Sequence, residues 1–176
     1  VAGSAYTEFP SLVDADVLHA RGIDGWGVTI AIVDSGLYAG PGITQDRYGM
    51  DRVQALYDAT IDYEYVEGGR GKSKVSFREF DIDDNGHGSH VAGIIWNNMT
   101  DYNTGVTLGV APDASLLSVR VLDDHGGGTY KDVIRGIQYV VANKDSYSPA
   151  VQVLNLSLTA LPTTPYFADT LNIVVE

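Results

Sequence analysis

Apolar positions along this chain fall into two patterns, short unbroken runs and longer stretches with helical spacing. Val28-Thr-Ile-Ala-Ile-Val33 is a nearly continuous, mostly β-branched run, the mark of a strand buried on both faces of a parallel sheet. Asp34 follows at its carboxyl end. Residues 116–122 and 151–158 predict two further strands, the second alternating enough to leave one more polar face. Between them, Tyr130, Val133, Ile134, Ile137, Val140 and Val141 keep the helical period across 129–144, and Thr129 with Asp132 three residues on forms a capping box. Strand, helix, strand in that order predicts a right-handed parallel crossover.

A second helix is predicted to begin near His87, after the glycine-rich lead-in Asn85-Gly-His-Gly, with His90, Val91, Ile94 and Ile95 on one face and Asn97-Asn98 at its end. Residues 53–63 and 74–80 read as two strands joined by the turn-rich 67–72, so residues 38–80 are expected to form a hairpin-like surface insertion. Leu171, Val174 and Val175 at helical spacing predict a last helix. There is no internal repeat and no linker that divides the chain. The expected fold is therefore one α/β domain, a doubly wound and mainly parallel sheet with helices on both faces.

Composition narrows the function. The chain has 176 residues, 44% of them apolar, enough for a real core. A formal charge of −12 argues against nucleic acid or an anionic membrane surface as partner, since both would repel it. The absence of cysteine excludes a thiol nucleophile, disulfides and cysteine-ligated metal. No apolar run is long enough to span a bilayer. Val1 is not preceded by a basic-then-apolar leader, and any such segment is expected to have been removed.

Candidate chemistry concentrates in two places. Asp34-Ser-Gly36 lies where doubly wound sheets place their ligand and catalytic groups, although Asp and Gly there are equally suited to a plain turn. In Asn85-Gly-His-Gly-Ser-His-Val-Ala-Gly93 a histidine sits between glycines at the mouth of an apolar helix. Small neighbours keep the imidazole accessible and the helix fixes its direction, which suits a general base titrating near neutrality.

Together, Val33-Asp-Ser-Gly36 and Asn85-Gly-His-Gly-Ser-His-Val-Ala-Gly93 resemble the paired aspartate and histidine signatures of the subtilisin family. Gly109-Val-Ala-Pro112, Val119-Arg-Val-Leu122, Gly126-Gly-Gly128, Gly136-Ile and Leu154-Asn-Leu-Ser-Leu158 continue the resemblance in the same order, from about Gly25 to the end. Ser89 stands where threonine is commoner, and the segment between the two signatures is long. The resemblance implies a serine endopeptidase in which His87 is general base and then general acid, and Asp34 fixes its tautomer and stabilises the imidazolium. The chain order Asp, His, Ser is subtilisin's own known order.

The resemblance also implies that a peptide binds as an added strand between two edges, Gly126, Gly127, Gly128 on one side and Ser157, Leu158, Thr159 on the other. Leu122 and Tyr130 match positions lining an apolar subsite, and ordinary core packing is an equal alternative for both. Thr159 replaces an expected glycine. His90 is expected to be a structural helix residue. No cofactor is required for catalysis. Structural calcium is compatible with the family, with oxygens from the acidic run 81–85 or the loop 97–107, and no metal ligand is assigned.

The oxyanion-hole asparagine and the Gly-Thr-Ser-Met-Ala type nucleophile segment of complete members do not occur in these 176 residues. Ser35, Ser89 and Ser157 each match another part of the pattern. The chain is therefore expected to be an incomplete subtilisin-like domain, inactive alone, with the serine on a C-terminal fragment of the same protease; a truncated fragment is the rival reading. Secretion follows from the resemblance. Two other classes are open: a metal-dependent hydrolase using Asp81, Asp83, Asp84, His87 and His90, and a nucleotide-binding module, for which no Gly-x-Gly-x-x-Gly follows the first strand.

Overall fold

In the computed structural model, described for residues 9–67, 74–75, 82–160, 165 and 168–175, two short helices, α1 (Phe9–Leu12) and α2 (Ala15–His19), precede β1 (Thr29–Asp34). The chain continues through α3 (Pro41–Thr44), β2 (Val53–Asp58), β3 (Tyr63–Glu67), β4 (Lys74–Val75), α4 (His87–Trp96), β5 (Ser115–Arg120), α5 (Tyr130–Asn143), β6 (Val151–Asn155) and α6 (Thr170–Val175). The sheet order is β4-β3-β2-β5-β1-β6. β1 is parallel to both β5 and β6, and β2 is parallel to β5. Helix α5 thus connects two strands that flank β1 on either side.

The unbroken apolar run at 28–33 has a direct cause. Every residue of β1 is buried, with Ile30 and Ile32 packing on one face beside Ala92 and Trp96 of α4. Ala31 and Val33 pack on the other face with Val133, Ile137 and Val140 of α5. Helices on both faces leave β1 no polar side. Helix α5 is capped as expected, since Thr129 Oγ1 accepts from Asp132 N at 3.2 Å. A Cβ on Gly136 would overlap Val121, so glycine there lets α5 lie against the sheet.

Between residues 53 and 80, three expectations change. Residues 53–63 are two strands: Asp58 Oδ1 accepts from Thr60 N at 2.9 Å and Thr60 Oγ1 at 2.6 Å, closing a turn from which β3 returns antiparallel. β2 is an inner strand of the main sheet with Ala55, Leu56 and Tyr57 buried, so the surface insertion does not include it. The short β4 pairs with β3 in parallel, not as a hairpin, and residues 76–80 of the expected second strand lie outside the described residues.

The buried stripe of α4 is Gly88, Ala92 and Trp96, while His90 is exposed and Val91 and Ile95 are partly buried at its flank. Small residues at i and i+4 let the helix approach the sheet closely, and they carry little weight in a hydrophobic pattern. β5 and β6 end at Arg120 and Asn155, short of the expected 122 and 158. Val121 N instead donates to Asp34 O at 2.7 Å as the chain leaves the ladder. In α6, Leu171 and Val174 pack on the α5 side of the core and Val175 is exposed.

Candidate active site

The ends of β1 and α4 meet at the carboxyl edge of the sheet. Asp34, the last residue of β1, is fully buried, and its Oδ1 accepts from Ser35 N at 2.7 Å. The same oxygen lies 2.7 Å from His87 Nδ1. Among the described residues, Oδ2 is buried without a hydrogen-bond partner. A buried carboxylate needs a compensating donor, and His87 supplies it while keeping its own side chain 47% exposed. This bond places the imidazole proton on Nδ1 and leaves Nε2 as the basic nitrogen.

Two glycines make the approach possible. Gly36 has φ of 129°, and a Cβ there would overlap the carbonyl oxygen of Ile82. A Cβ on Gly88 would in turn overlap the carbonyl oxygen of Gly36 and lie 3.0 Å from its nitrogen. The strand end and the helix start are therefore in backbone contact. The Gly109-Val-Ala-Pro112 segment fixes the far end of α4: Gly109 N, Val110 N and Ala111 N donate to Asn97 O, Ile94 O and Ile95 O at 2.7, 3.0 and 2.8 Å.

A cleft of about 670 Å³ opens beside His87. Its lining includes Leu122, Gly126, Gly127, Gly128, Tyr130, Ser157, Leu158 and Thr159. The structure thus brings all eight expected substrate-binding residues together with His87. The glycine rim is held by Asp123, whose backbone N donates to Gly127 O at 2.7 Å and whose Oδ1 accepts from Gly127 N and His125 N at 2.8 and 2.9 Å. Those backbone donors, that from Gly127 first, hold the Asp123 carboxyl below the usual aspartate value. A Cβ on Gly128 would strike the Leu122 side chain and Val121 O, so the glycine lets this edge pack directly on residues 121–122.

Six other lining residues have no assigned place in the cleft from sequence: Asn85, His125, Thr129, Val133, Ala160 and Leu171. Val133 stands one helical turn from Tyr130 and was within reach of the same periodicity. Leu171 reaches the cleft from α6, a tertiary relationship with no local signal. Asn85 Oδ1 accepts from His87 N at 3.3 Å and its Nδ2 donates to Asp124 O at 3.3 Å, tying the histidine loop to the glycine rim.

The side-chain oxygens offered for a metal are mostly committed. Asp83 accepts from Ser35 Oγ, Gly86 N, Ser89 N and Ser89 Oγ, and Asp81 lies outside the described residues. In the 97–107 loop, Asp101 Oδ1 accepts from Asn103 N, Thr104 N and Thr104 Oγ1 at 3.0, 2.8 and 2.9 Å. Asn97 Oδ1 accepts from Met99 N at 3.0 Å. A calcium ion at these oxygens would compete with the protein donors they already accept from. Among the described residues, the group of three carboxylate and imidazole side chains with ligand atoms within 4.8 Å of one another is the exposed Asp123, Asp124 and His125, and it includes none of Asp83, Asp84, His87 and His90.

The profile of the subtilase family matches residues 25–172. Subtilisin DY of Bacillus licheniformis is 34% identical over 84% of this chain and 42% of its own length. The major intracellular serine protease of Bacillus subtilis (strain 168) is 32% identical over 84% of this chain and 39% of its own length. The chain spans about two fifths of these relatives. In the solved structure of the Clostridium perfringens CspB protease, 36% of that chain superposes on 92% of this one with a TM-score of 0.74 at 21% identity, which shows a shared fold. With a matching profile across both signature segments and the shared sheet architecture, the chain belongs to the subtilase family.

Proposed function

We propose that this chain is the aspartate- and histidine-bearing part of a serine endopeptidase, and that the nucleophilic serine lies outside these 176 residues. The observation that carries the reading is the 2.7 Å contact between buried Asp34 and half-exposed His87 at the mouth of the cleft. In the reaction, His87 Nε2 takes the proton of a serine hydroxyl as its oxygen attacks a peptide carbonyl carbon. The proton then passes to the leaving amine, and an acyl-enzyme is released by water through the same steps. Asp34 holds the Nδ1 proton in place and stabilises the imidazolium.

The serines near the site support an outside nucleophile. Ser35 Oγ donates to Asp83 Oδ1 at 2.7 Å, Ser89 Oγ to Asp83 Oδ2 at 2.5 Å and Ser157 Oγ to Asn155 Oδ1 at 2.8 Å. Each hydroxyl proton is engaged away from His87. A C-terminal fragment of the same protease is the proposed carrier of the serine, and a peptide lying between Gly126–Gly128 and Ser157–Thr159 is the proposed substrate. Fluorophosphonate labelling of the native protein, resolved by denaturing electrophoresis, tests this: label on a polypeptide other than this chain supports it, and label on this chain opposes it.

Secretion is part of the same proposal and rests on the family resemblance. No helix among the described residues is long and apolar enough to cross a membrane. A relative named as intracellular matches the chain over the same share as subtilisin DY, so fractionation of the producing culture decides the compartment.

A further inference from the structure

Behind the Asp34–His87 pair lies a second carboxylate that the proposed reaction does not use. Asp83 is 8% exposed, and its two oxygens accept from donors on both sides of the site. Its Oδ1 accepts from Ser35 Oγ at 2.7 Å, in the residue following Asp34, and from Gly86 N at 2.9 Å, in the residue preceding His87. Its Oδ2 accepts from Ser89 N at 2.7 Å and Ser89 Oγ at 2.5 Å, two residues after His87. Ser35 Oγ also accepts from Gly88 N at 2.8 Å, and Ser89 Oγ accepts from Tyr38 N at 2.8 Å. Each donor is adjacent in sequence to Asp34 or His87, or joins the two segments.

We infer that Asp83 is a positioning residue for His87: one buried carboxylate gathers the N-terminal N–H groups of α4 and the Ser35 hydroxyl, fixing the helix start against the strand end. The physical basis is the set of orphan donors that every helix start exposes. A buried anion there satisfies them and is favoured by the helix dipole. Because the acceptor also binds Ser35, satisfying the helix simultaneously sets its distance from β1. The Gly36–Gly88 contact allows the segments to touch, and Asp83 determines where they stop. The inference rests on the proposed role of the Asp34–His87 pair.

The test is nuclear magnetic resonance of the native protein with this chain ¹⁵N-labelled, reading the low-field Nδ1 proton of His87 and the ring nitrogen shifts that report its tautomer. Asp83→Asn and Ser89→Ala are compared with Ser89→Thr, which keeps the hydroxyl. Wild type and Ser89→Thr are expected to show the low-field proton and a single Nδ1–H tautomer. Asp83→Asn is expected to lose the low-field proton and gain the Nε2–H form, with the β1–β5 amide signals kept; Ser89→Ala is expected to broaden or shift it. A merely stabilising residue would lower the melting temperature without moving the tautomer of the native state. Unchanged His87 signals in both Asp83→Asn and Ser89→Ala overturn the inference. Should Asp83→Asn not fold, the Ser89 pair decides, and equal spectra for alanine and threonine overturn it. Absence of the low-field proton in wild type would instead sink the Asp34–His87 reading itself.

Discussion

Gly36, beyond β1, occupies the side-chain space of Gly88 on α4: a Cβ on Gly88 would overlap the carbonyl oxygen of Gly36. The consequence is chemical, since this contact brings His87, the neighbour of Gly88, within 2.7 Å of Asp34. Gly88→Ala is expected to push helix and strand apart. Overpacking of this kind costs about 1–3 kcal/mol, readable as a lower urea midpoint at unchanged slope, and the low-field His87 proton should be lost with it.

Asp34→Asn should leave the fold intact while removing the carboxylate that fixes the His87 tautomer. In the assembled enzyme the expected loss is on the order of 10⁴-fold in kcat, a magnitude carried over from serine-protease triads. Steady-state kinetics on a chromogenic peptide measures it. A drop of only a few fold would mean that His87 is oriented by something else.

Asp83 also predicts an acid limb of stability. Burial pushes its carboxyl up, but the hydrogen bonds from Ser89, Ser35 and Gly86 outweigh this and hold it below the ordinary aspartate value. A depressed folded value means the unfolded chain binds the proton first as pH falls. The contribution is therefore full above the unfolded value and is lost as pH drops through the folded one. Melting temperature against pH should fall less steeply on the acid side in Asp83→Asn than in wild type.

Arg52 is a buried cation whose partners are backbone carbonyls. Nε donates to Ile43 O at 2.6 Å, Nη2 donates to Gly42 O at 3.1 Å and to Trp96 O, and Nη1 donates to Pro112 O. Burial lowers its pKa to about 10. It joins the C-terminal end of α4 to α3 and to the loop before β5. Arg52→Met should leave those carbonyls unsatisfied and cost about 3 kcal/mol or more, measured by chemical denaturation, with the largest loss of amide protection near Trp96.

Much of this architecture was legible because local and tertiary signals agree. The β-branched run of β1, the capping box of α5 and the glycine-flanked histidine each encode their surroundings within a few residues. β2 was misread because Ala55, Leu56 and Tyr57 give a short apolar run whose neighbour, β5, is about 60 residues away, and sequence pattern does not report which strand pairs with which. The Asp83 network was invisible for a related reason: an aspartate within an acidic run looks solvated, and only the fold shows donors from two segments converging on it. Leu171 enters the cleft for a similarly nonlocal reason.

The most direct test of the central claim is fluorophosphonate labelling of the native protein with and without His87→Ala, followed by denaturing electrophoresis and mass spectrometry of the labelled peptide. The account requires label on a serine outside residues 1–176, abolished by His87→Ala. Label on Ser35, Ser89, Ser157 or any other serine of this chain, or label that survives His87→Ala undiminished, would contradict it.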